Sequence, residues 1–186
     1  VNSVGSTLIG GETLDQALSQ LASGAADTVI VLENDLYRRA DTAAVDAALN
    51  AASSVIVVDH QQTATTDKAH WILSAATFAE GDGTVISQEG RAQRYFQTFD
   101  ASYYDAAVLV KESWRWLHAL HSTVDGKDVA WTLLDDAVAA TAAGIPALSV
   151  IGAAAPNAGV RIHGVKIARE PRRYPGRTSM RANISA

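Results

Sequence analysis

The chain has 186 residues, a net charge of −5 and no cysteine, and 48% of its residues are apolar. This composition indicates a globular protein, with one domain of ordinary size or one and a half small ones, rather than a disordered chain. The lack of cysteine excludes disulfides, thiolate-ligated zinc or iron–sulfur clusters and a cysteine nucleophile within these residues, and the negative charge gives no sign of nucleic-acid binding.

The first third of the chain has the pattern of a parallel α/β unit. Residues 13–22 predict an amphipathic helix, because leucines recur every three or four positions. Apolar runs rich in β-branched residues at 28–32 and 54–58 are typical of strands buried on both faces, and a second predicted helix lies between them. We therefore expect a βαβ unit with a right-handed crossover, in which Val31 and Val57 are nearly inaccessible.

The middle of the chain predicts shorter strands followed by long helices. Residues 70–73 predict a third strand. Residues 84–87 predict a strand that joins either this sheet or a separate hairpin. Residues 105–122 predict a helix, and a last helix is expected from Asp128 to residue 143. The first of these helices has an apolar side formed by Val110, Trp114, Leu117 and His121.

The end of the chain differs from the rest in charge. Residues 1–159 contain 8 Lys and Arg against 19 Asp and Glu, whereas residues 160–186 contain 7 Lys and Arg and a single Glu. The basic end predicts either an extended docking segment or a solvated tail. We therefore divide the chain into an α/β part (1–100), a helical annex (101–159) and a basic extended segment (160–186).

Neither a membrane span nor a natural chain end is predicted. The longest uncharged stretch, residues 137–160, is mostly alanine and glycine and contains two prolines, so it is too weakly apolar to cross a bilayer. The first residues include neither a methionine nor a signal-peptide pattern. We expect the sequence to be a piece of a longer chain.

Polar side chains follow the first two predicted strands. Glu33, Asn34 and Asp35 follow one strand, and Asp59 and His60 follow the next. Ligands of open parallel sheets bind beyond the carboxyl ends of the strands, so these residues could form a nucleotide or pterin crevice. The alternative is that they are ordinary polar loop residues, which face water in most proteins.

No other pattern predicts a catalytic, cofactor-binding or metal residue. Phosphate-binding and hydrolase motifs are missing, and the pair of His60 with Asp59 has no accompanying nucleophile. His118 and His121 are one helical turn apart, but a third metal ligand is not evident, since Asp125 is expected beyond the helix end. The tryptophans predict core or interface anchors; they are Trp114, Trp116 and Trp131.

Several segments together resemble the molybdopterin oxidoreductase superfamily. In that family a Gly-Glu-Asn loop follows one strand, an acidic residue follows the next, and an Ala-Asp-Val-Val-Leu-Pro segment precedes a Glu-Gly-Arg-x-Gln segment. The matching segments here are VLEND at 31–35, VIVVD at 55–59, AHWILSAA at 69–76, EGDGT at 80–84 and QEGRAQ at 88–93. The chain departs from the family pattern at four places, namely Leu32 for Gly, His70 for Asp, Ser74 for Pro and Gln88 near the Asn position.

These departures resemble one branch of the superfamily, the G subunit of bacterial NADH-quinone oxidoreductase, the respiratory complex I. The segment ESWRWLH at 112–118 and the arginine-rich segment at 169–185 are also similar to that branch. The resemblance implies a Rossmann-like fold and a parent chain several times longer. That parent would pass electrons from NADH through iron–sulfur clusters to quinone, coupled to proton translocation.

The resemblance also implies cofactors, partners and a location for the parent. Its 4Fe-4S and 2Fe-2S clusters would lie in the missing N-terminal part, and its partners would be the other peripheral-arm subunits of complex I. The complex would lie on the cytoplasmic face of the bacterial inner membrane, with no nucleic acid bound and no insertion of this chain into the bilayer.

For this segment the resemblance implies a scaffold. Complex I members keep the fold without molybdenum or tungsten, so Asn34 and Asp59 would be remnants of a pterin crevice with structural roles. Two alternatives stay open: a molybdopterin- or nucleotide-binding oxidoreductase domain, and a stand-alone binding module whose basic tail holds an acidic partner.

Overall fold

The helices and strands follow one another in an α/β order. The computed structural model describes residues 2–126, 130–155, 157, 159–161 and 164. The helices are α1 (Ser3–Ile9), α2 (Leu14–Ala22), α3 (Thr42–Ala51), α4 (Ser113–Asp125), α5 (Leu134–Gly144) and α6 (Ile151–Ala154). The strands are β1 (Thr28–Leu32), β2 (Ser54–Asp59), β3 (Trp71–Ser74), β4 (Gly83–Ile86) and β5 (Ala92–Tyr95). Short 3-10 helices lie at Leu36–Arg38, Thr66–Lys68 and Pro146–Leu148.

The central element is a three-stranded parallel sheet in the order β1-β2-β3. Helix α3 connects β1 to β2, which confirms the predicted βαβ unit and the α/β fold class. Val31 is opposite Val57 in the register, and both are buried as predicted, with Val57 completely inaccessible.

One face of this sheet forms the main core with α2 and α3. Both helices begin at side-chain caps, because the Thr13 side chain accepts from the Gln16 N–H and the Asp41 carboxylate accepts from the N–H groups of Ala43 and Ala44. The capped helices then direct their apolar sides at the sheet. The buried members of this core are Leu18, Leu21, Val31, Leu36, Val45, Ala48, Leu49, Ala52, Val55 and Val57.

The prediction that β1 is buried on both faces is wrong. On the face away from that core, Ile30 is 45% exposed and Leu32 is 43% exposed. The reason is that α2 and α3 both pack on the same face, where Val31 lies. Strand β3 is similarly open, since Trp71 is 66% exposed.

Strands β4 and β5 form a separate antiparallel hairpin, which decides between the two alternatives left open by the sequence. The first residue of β4 is a glycine, Gly83. A side chain at this position would overlap the hydroxyl and ring of Tyr95 on β5. Arg94, whose side chain is almost fully buried, forms ion pairs with Asp82 and with Asp135 at the start of α5. A second small core joins the hairpin to the helices, with Ile86, Leu148 and Ile151 buried in it.

Helices α4 and α5 begin later than predicted. The expected start of α4 at residue 105 is wrong, because the Asp105 carboxylate accepts from the Ala107 N–H in a turn and Lys111 forms a parallel bridge with Ala75. Helix α5 begins at Leu134, where Asp136 accepts from the backbone N–H groups of residues 132 and 133. Asp128 lies outside the described residues.

The remaining expectations have mixed outcomes. Helix α1 and strand β5 were not predicted. In the part of the chain that the structure describes, no helix is long and apolar enough to cross a membrane. The basic segment 160–186 falls almost entirely outside the described residues. The division into three parts at residues 100 and 159 stays a prediction.

Candidate functional site

The polar residues predicted as a crevice do meet at one edge of the sheet. They follow β1 and β2, which are parallel neighbours, so their loops lie side by side at the carboxyl ends of the strands. Between the loops is a cavity of about 380 Å³. It is lined by Glu33, Asn34, Asp35, Arg38, Arg39, Asp59, His60, Gln61 and Thr63.

The loop after β1 begins with an unusual backbone conformation. Glu33 has φ of 46°, in the left-handed region that residues other than glycine rarely adopt. Its N–H donates to the Val58 carbonyl at 2.8 Å, and its carboxylate accepts from the Ser113 hydroxyl of α4. Next to it, the Asn34 side-chain oxygen accepts from Arg39 Nε at 3.1 Å. The hydrogen-bonding groups of this loop are therefore paired with other residues of the same chain.

Thr65 joins the two loops, a role that the sequence analysis missed. Its side chain is completely buried, and its Oγ1 donates to the Asp35 carboxylate at 2.9 Å. The same oxygen accepts from the Leu36 N–H at 2.8 Å, so it provides a hydrogen-bond acceptor for the first N–H of the 3-10 helix Leu36–Arg38. A threonine in a polar loop gives no sequence signal for this role, because the two partners lie about thirty positions away.

Asp59 ends β2 and organises the turn behind it. The residue is 8% exposed, and its Oδ1 accepts from the N–H groups of His60 at 2.7 Å and Gln61 at 3.1 Å. His60 Nδ1 lies 3.4 Å from the same oxygen. Asp59 and His60 are therefore in contact, and the carboxylate oxygen nearest the imidazole already accepts two backbone hydrogen bonds.

A neighbouring cavity of about 480 Å³ extends from Asp59 and His60 towards Thr77 and Glu80. The backbone N–H and the hydroxyl of Thr77 donate to the Glu80 carboxylate at 3.0 and 2.8 Å. These two hydrogen bonds hold the pKa of Glu80 below its usual value, with a smaller contribution from His60. Glu80 is therefore a hydrogen-bonded carboxylate suited to fixing a turn, rather than a proton donor near neutral pH.

The residues of the main crevice do not fit a molybdenum or tungsten pterin. The phosphate of such a group would need free backbone N–H donors at the strand ends. Here the N–H groups of Glu33, Leu36, His60 and Gln61 donate to acceptors of the chain itself. In addition, the three carboxylates that line the cavity outnumber its two guanidinium groups, and this excess of negative charge disfavours an anionic ligand.

The two histidines considered as a metal pair lie on α4 beside Trp131. His121 Nε2 lies 2.9 Å from the Asp125 carboxylate, and the rings of His118 and His121 lie about 6 Å from that of Trp131. Among the described residues, no three His, Cys, Asp or Glu side chains are grouped to hold a metal ion.

The tryptophans lie outside the buried cores. Trp116 donates its indole N–H to the Ser74 carbonyl at 2.9 Å and stacks on Lys111, while Trp114 stacks on Arg115. Trp114, Trp116 and Trp131 are all partly exposed. Their prediction as core anchors is wrong, and their role as interface anchors stays a prediction.

Comparison with known proteins places this geometry in a family. A model of the molybdopterin oxidoreductase family matches residues 5–122, which is more than half of the chain and includes the whole parallel sheet. The chain belongs to the molybdopterin oxidoreductase family. Membership confirms the resemblance seen in the strand-end loops and in the segments that follow them.

Several curated relatives share one description. The chain is 60% identical over 184 residues to the G subunit of NADH-quinone oxidoreductase from Pseudomonas fluorescens. It is 57% identical over 185 residues to the corresponding proteins of Salmonella typhimurium and of Escherichia coli K12. Each match covers 99–100% of this chain but only 20% of the relative, so the chain spans one fifth of the length of these relatives.

Proposed function

We propose that this chain is a structural segment of the G subunit of a bacterial NADH-quinone oxidoreductase, with neither a cofactor nor a catalytic residue of its own. The observation that carries the proposal is the identity of 57–60% to that subunit over practically the whole chain. At this level of identity, the match extends well beyond the strand-end loops that the whole superfamily has in common.

The activity belongs, on this proposal, to the parent chain and its complex. The parent passes electrons from NADH through iron–sulfur clusters to quinone, coupled to proton translocation. Since this segment contains no cysteine, the 4Fe-4S and 2Fe-2S clusters are held by other parts of the parent. The segment lies in the peripheral arm on the cytoplasmic face of the inner membrane, in contact with the rest of its own chain and with other peripheral-arm subunits.

The hydrogen bonds at the strand ends support a structural role. Asp59, Asn34 and Thr65 direct their side-chain oxygens at donors within the chain. Polar groups that bind a ligand are normally arranged to face it, whereas these groups satisfy the loops that carry them. On this proposal the crevice has the geometry of a ligand-binding fold, but its polar side chains stabilise the loops instead of binding a ligand.

Two substitutions at Asp59 separate the structural role from a catalytic one. In the full-length parent protein, Asp59→Asn retains an oxygen acceptor for the two backbone N–H groups, whereas Asp59→Leu removes it. We expect Asp59→Asn to assemble and to oxidise NADH at the parental rate per complex. Asp59→Leu should reduce the amount of assembled complex, because the N–H groups of His60 and Gln61 then lose the carboxylate that fixes the turn after β2.

The measurements are quinone-dependent NADH oxidation, normalised to assembled complex, and elemental analysis of the purified complex. A large loss of rate per complex in Asp59→Asn would contradict the structural role. Molybdenum or tungsten in stoichiometric amount, or pterin fluorescence, would instead support the alternative, a molybdopterin-binding oxidoreductase domain. That alternative is favoured only by the match to the family model.

A further inference from the structure

The sequence contains the dipeptide Asp-Gly twice, as Asp82–Gly83 and as Asp125–Gly126. This dipeptide can rearrange without an enzyme, because glycine has no side chain to keep its backbone nitrogen away from the carboxyl carbon of the preceding aspartate. The nitrogen then closes a succinimide ring on that carbon. The reaction requires a backbone that can open and an accessible carboxyl group, so the fold decides which of the two pairs reacts.

The first pair, Asp82–Gly83, is held in the antiparallel hairpin. Gly83 is the first residue of β4 and lies opposite Tyr95 of β5 in the strand register. The Asp82 carboxylate lies 3.4 Å from the guanidinium group of Arg94, whose side chain is only 1% exposed. Moving the Gly83 nitrogen towards the Asp82 carboxyl carbon would disturb both the strand pairing and this ion pair. The fold therefore protects the first pair.

The second pair, Asp125–Gly126, lies at the end of α4. Asp125 is the last residue of this helix, and Gly126 follows it with φ of 62°, in the left-handed region. Among the described residues, nothing beyond its chain neighbours lies within 4 Å of the position that a Cβ of Gly126 would occupy. The end of a helix opens at a much lower free energy than a core strand, so the Gly126 nitrogen has both the room and the freedom to move.

The carboxyl group of Asp125 is accessible as well. Its side chain is 51% exposed and its Oδ2 lies 2.9 Å from Nε2 of His121, whose side chain is 48% exposed. Since water readily replaces a contact between two side chains this exposed, the contact holds the carboxyl group only loosely. The second pair therefore combines an exposed carboxyl group with a backbone that can open, and the first pair does not.

We propose that Asp125 is a modification site at which the chain forms isoaspartate. The Gly126 nitrogen attacks Cγ of the protonated Asp125 side chain, so that a C–N bond forms, a C–O bond breaks and a water molecule leaves. A second water molecule then opens the succinimide ring. Attack at Cγ restores aspartate, whereas attack at the main-chain carbonyl carbon leaves a backbone that runs through Cβ and Cγ, which is isoaspartate. The inference does not depend on the function proposed above.

Incubation of the full-length parent protein at neutral pH and physiological temperature tests the proposal. Electron-transfer fragmentation of its peptides locates isoaspartate, and methylation by an isoaspartyl methyltransferase with labelled S-adenosylmethionine measures it independently. Asp82–Gly83 is the internal control, because it is the same dipeptide in the same chain. Asp125→Glu is the matched variant, because it keeps the negative charge beside His121 while its longer side chain closes the corresponding ring far more slowly.

In the native protein we expect isoaspartate to form more than about tenfold faster at position 125 than at position 82. In urea, where the fold no longer protects either pair, the two rates should be similar. Asp125→Glu should lose the signal of its peptide.

Equal rates at positions 125 and 82 in the native protein would overturn the proposal, since the fold would then not distinguish the two pairs. A signal that Asp125→Glu retains would also overturn it, because another residue would then be its source. None of these measurements involves a cofactor or the oxidation of NADH, so they are independent of the tests of the proposed function.

Discussion

Replacing Thr65 by valine removes one hydroxyl that holds two loops together, while the side chain keeps its shape. In the folded chain this hydroxyl donates to Asp35 and accepts from the Leu36 N–H. Thr65 is completely buried and Leu36 is 7% exposed, so water cannot easily replace the lost partner of this N–H. Asp35 is partly exposed, and its carboxylate can turn to water instead.

The magnitude follows from these burial values. An unsatisfied buried N–H costs about 1–3 kcal/mol. In a chain of this size, each kcal/mol lowers the melting temperature by about 2–4 °C. We therefore expect Thr65→Val to melt several degrees below the unsubstituted protein. Thr65→Ser keeps both hydrogen bonds and loses only one buried methyl group, at about 1 kcal/mol.

The assay combines thermal unfolding by circular dichroism with hydrogen exchange of the Leu36 amide. Global stability alone does not separate the two variants well, because both lose about 1 kcal/mol or more. The amide does separate them: its protection should be lost in Thr65→Val and retained in Thr65→Ser. If the Leu36 amide were equally protected in both, the bridging role of Thr65 would be refuted.

Two further predictions concern the core and the pH dependence. Val57→Asp puts an unpaired carboxylate at a completely inaccessible position of the sheet, which should cost several kcal/mol out of a total stability of about 5–15 kcal/mol; a variant that melts like the parent would show that Val57 is not central. Burial, together with the hydrogen bond to Asp46, raises the pKa of Tyr37 from 10.0 to about 12. The unfolded chain therefore loses the Tyr37 proton first, so the stability that this tyrosine contributes is complete below pH 10 and is lost as the pH rises to about 12. Chemical denaturation should show that the free energy of unfolding falls more steeply with pH over this range in the unsubstituted protein than in Tyr37→Phe. Equal slopes of unfolding free energy against pH would argue against the raised pKa.

The sequence alone was enough to predict the elements whose signals are local. The β-branched runs that form β1 and β2 extend over the predicted residues to within one position, and α2 begins after the predicted cap, Thr13. Such signals suffice because hydrophobic periodicity and capping act between residues close in the chain. The same holds for the meeting of the strand-end loops, which follows once β1 and β2 are parallel neighbours.

Other features depended on contacts between distant parts of the chain. The start of α4 was predicted too early because residues before Ser113 favour a helix locally, yet Lys111 pairs with Ala75. Strand β5 has a weak apolar pattern, and its pairing with β4 together with the ion pairs of Arg94 decides its conformation.

The hydrogen-bond partners of the crevice residues likewise depended on tertiary structure. From the sequence, Asp59 and Asn34 could equally be ligand contacts or loop residues, since the same side chains serve both purposes. Only the folded chain shows which donors these oxygens meet, and it shows Thr65 as the residue between the loops. The exposure of Ile30 and Leu32 has the same origin: an apolar run predicts that a strand is buried, but which face is covered depends on where the helices pack, and both α2 and α3 pack on the other face of β1.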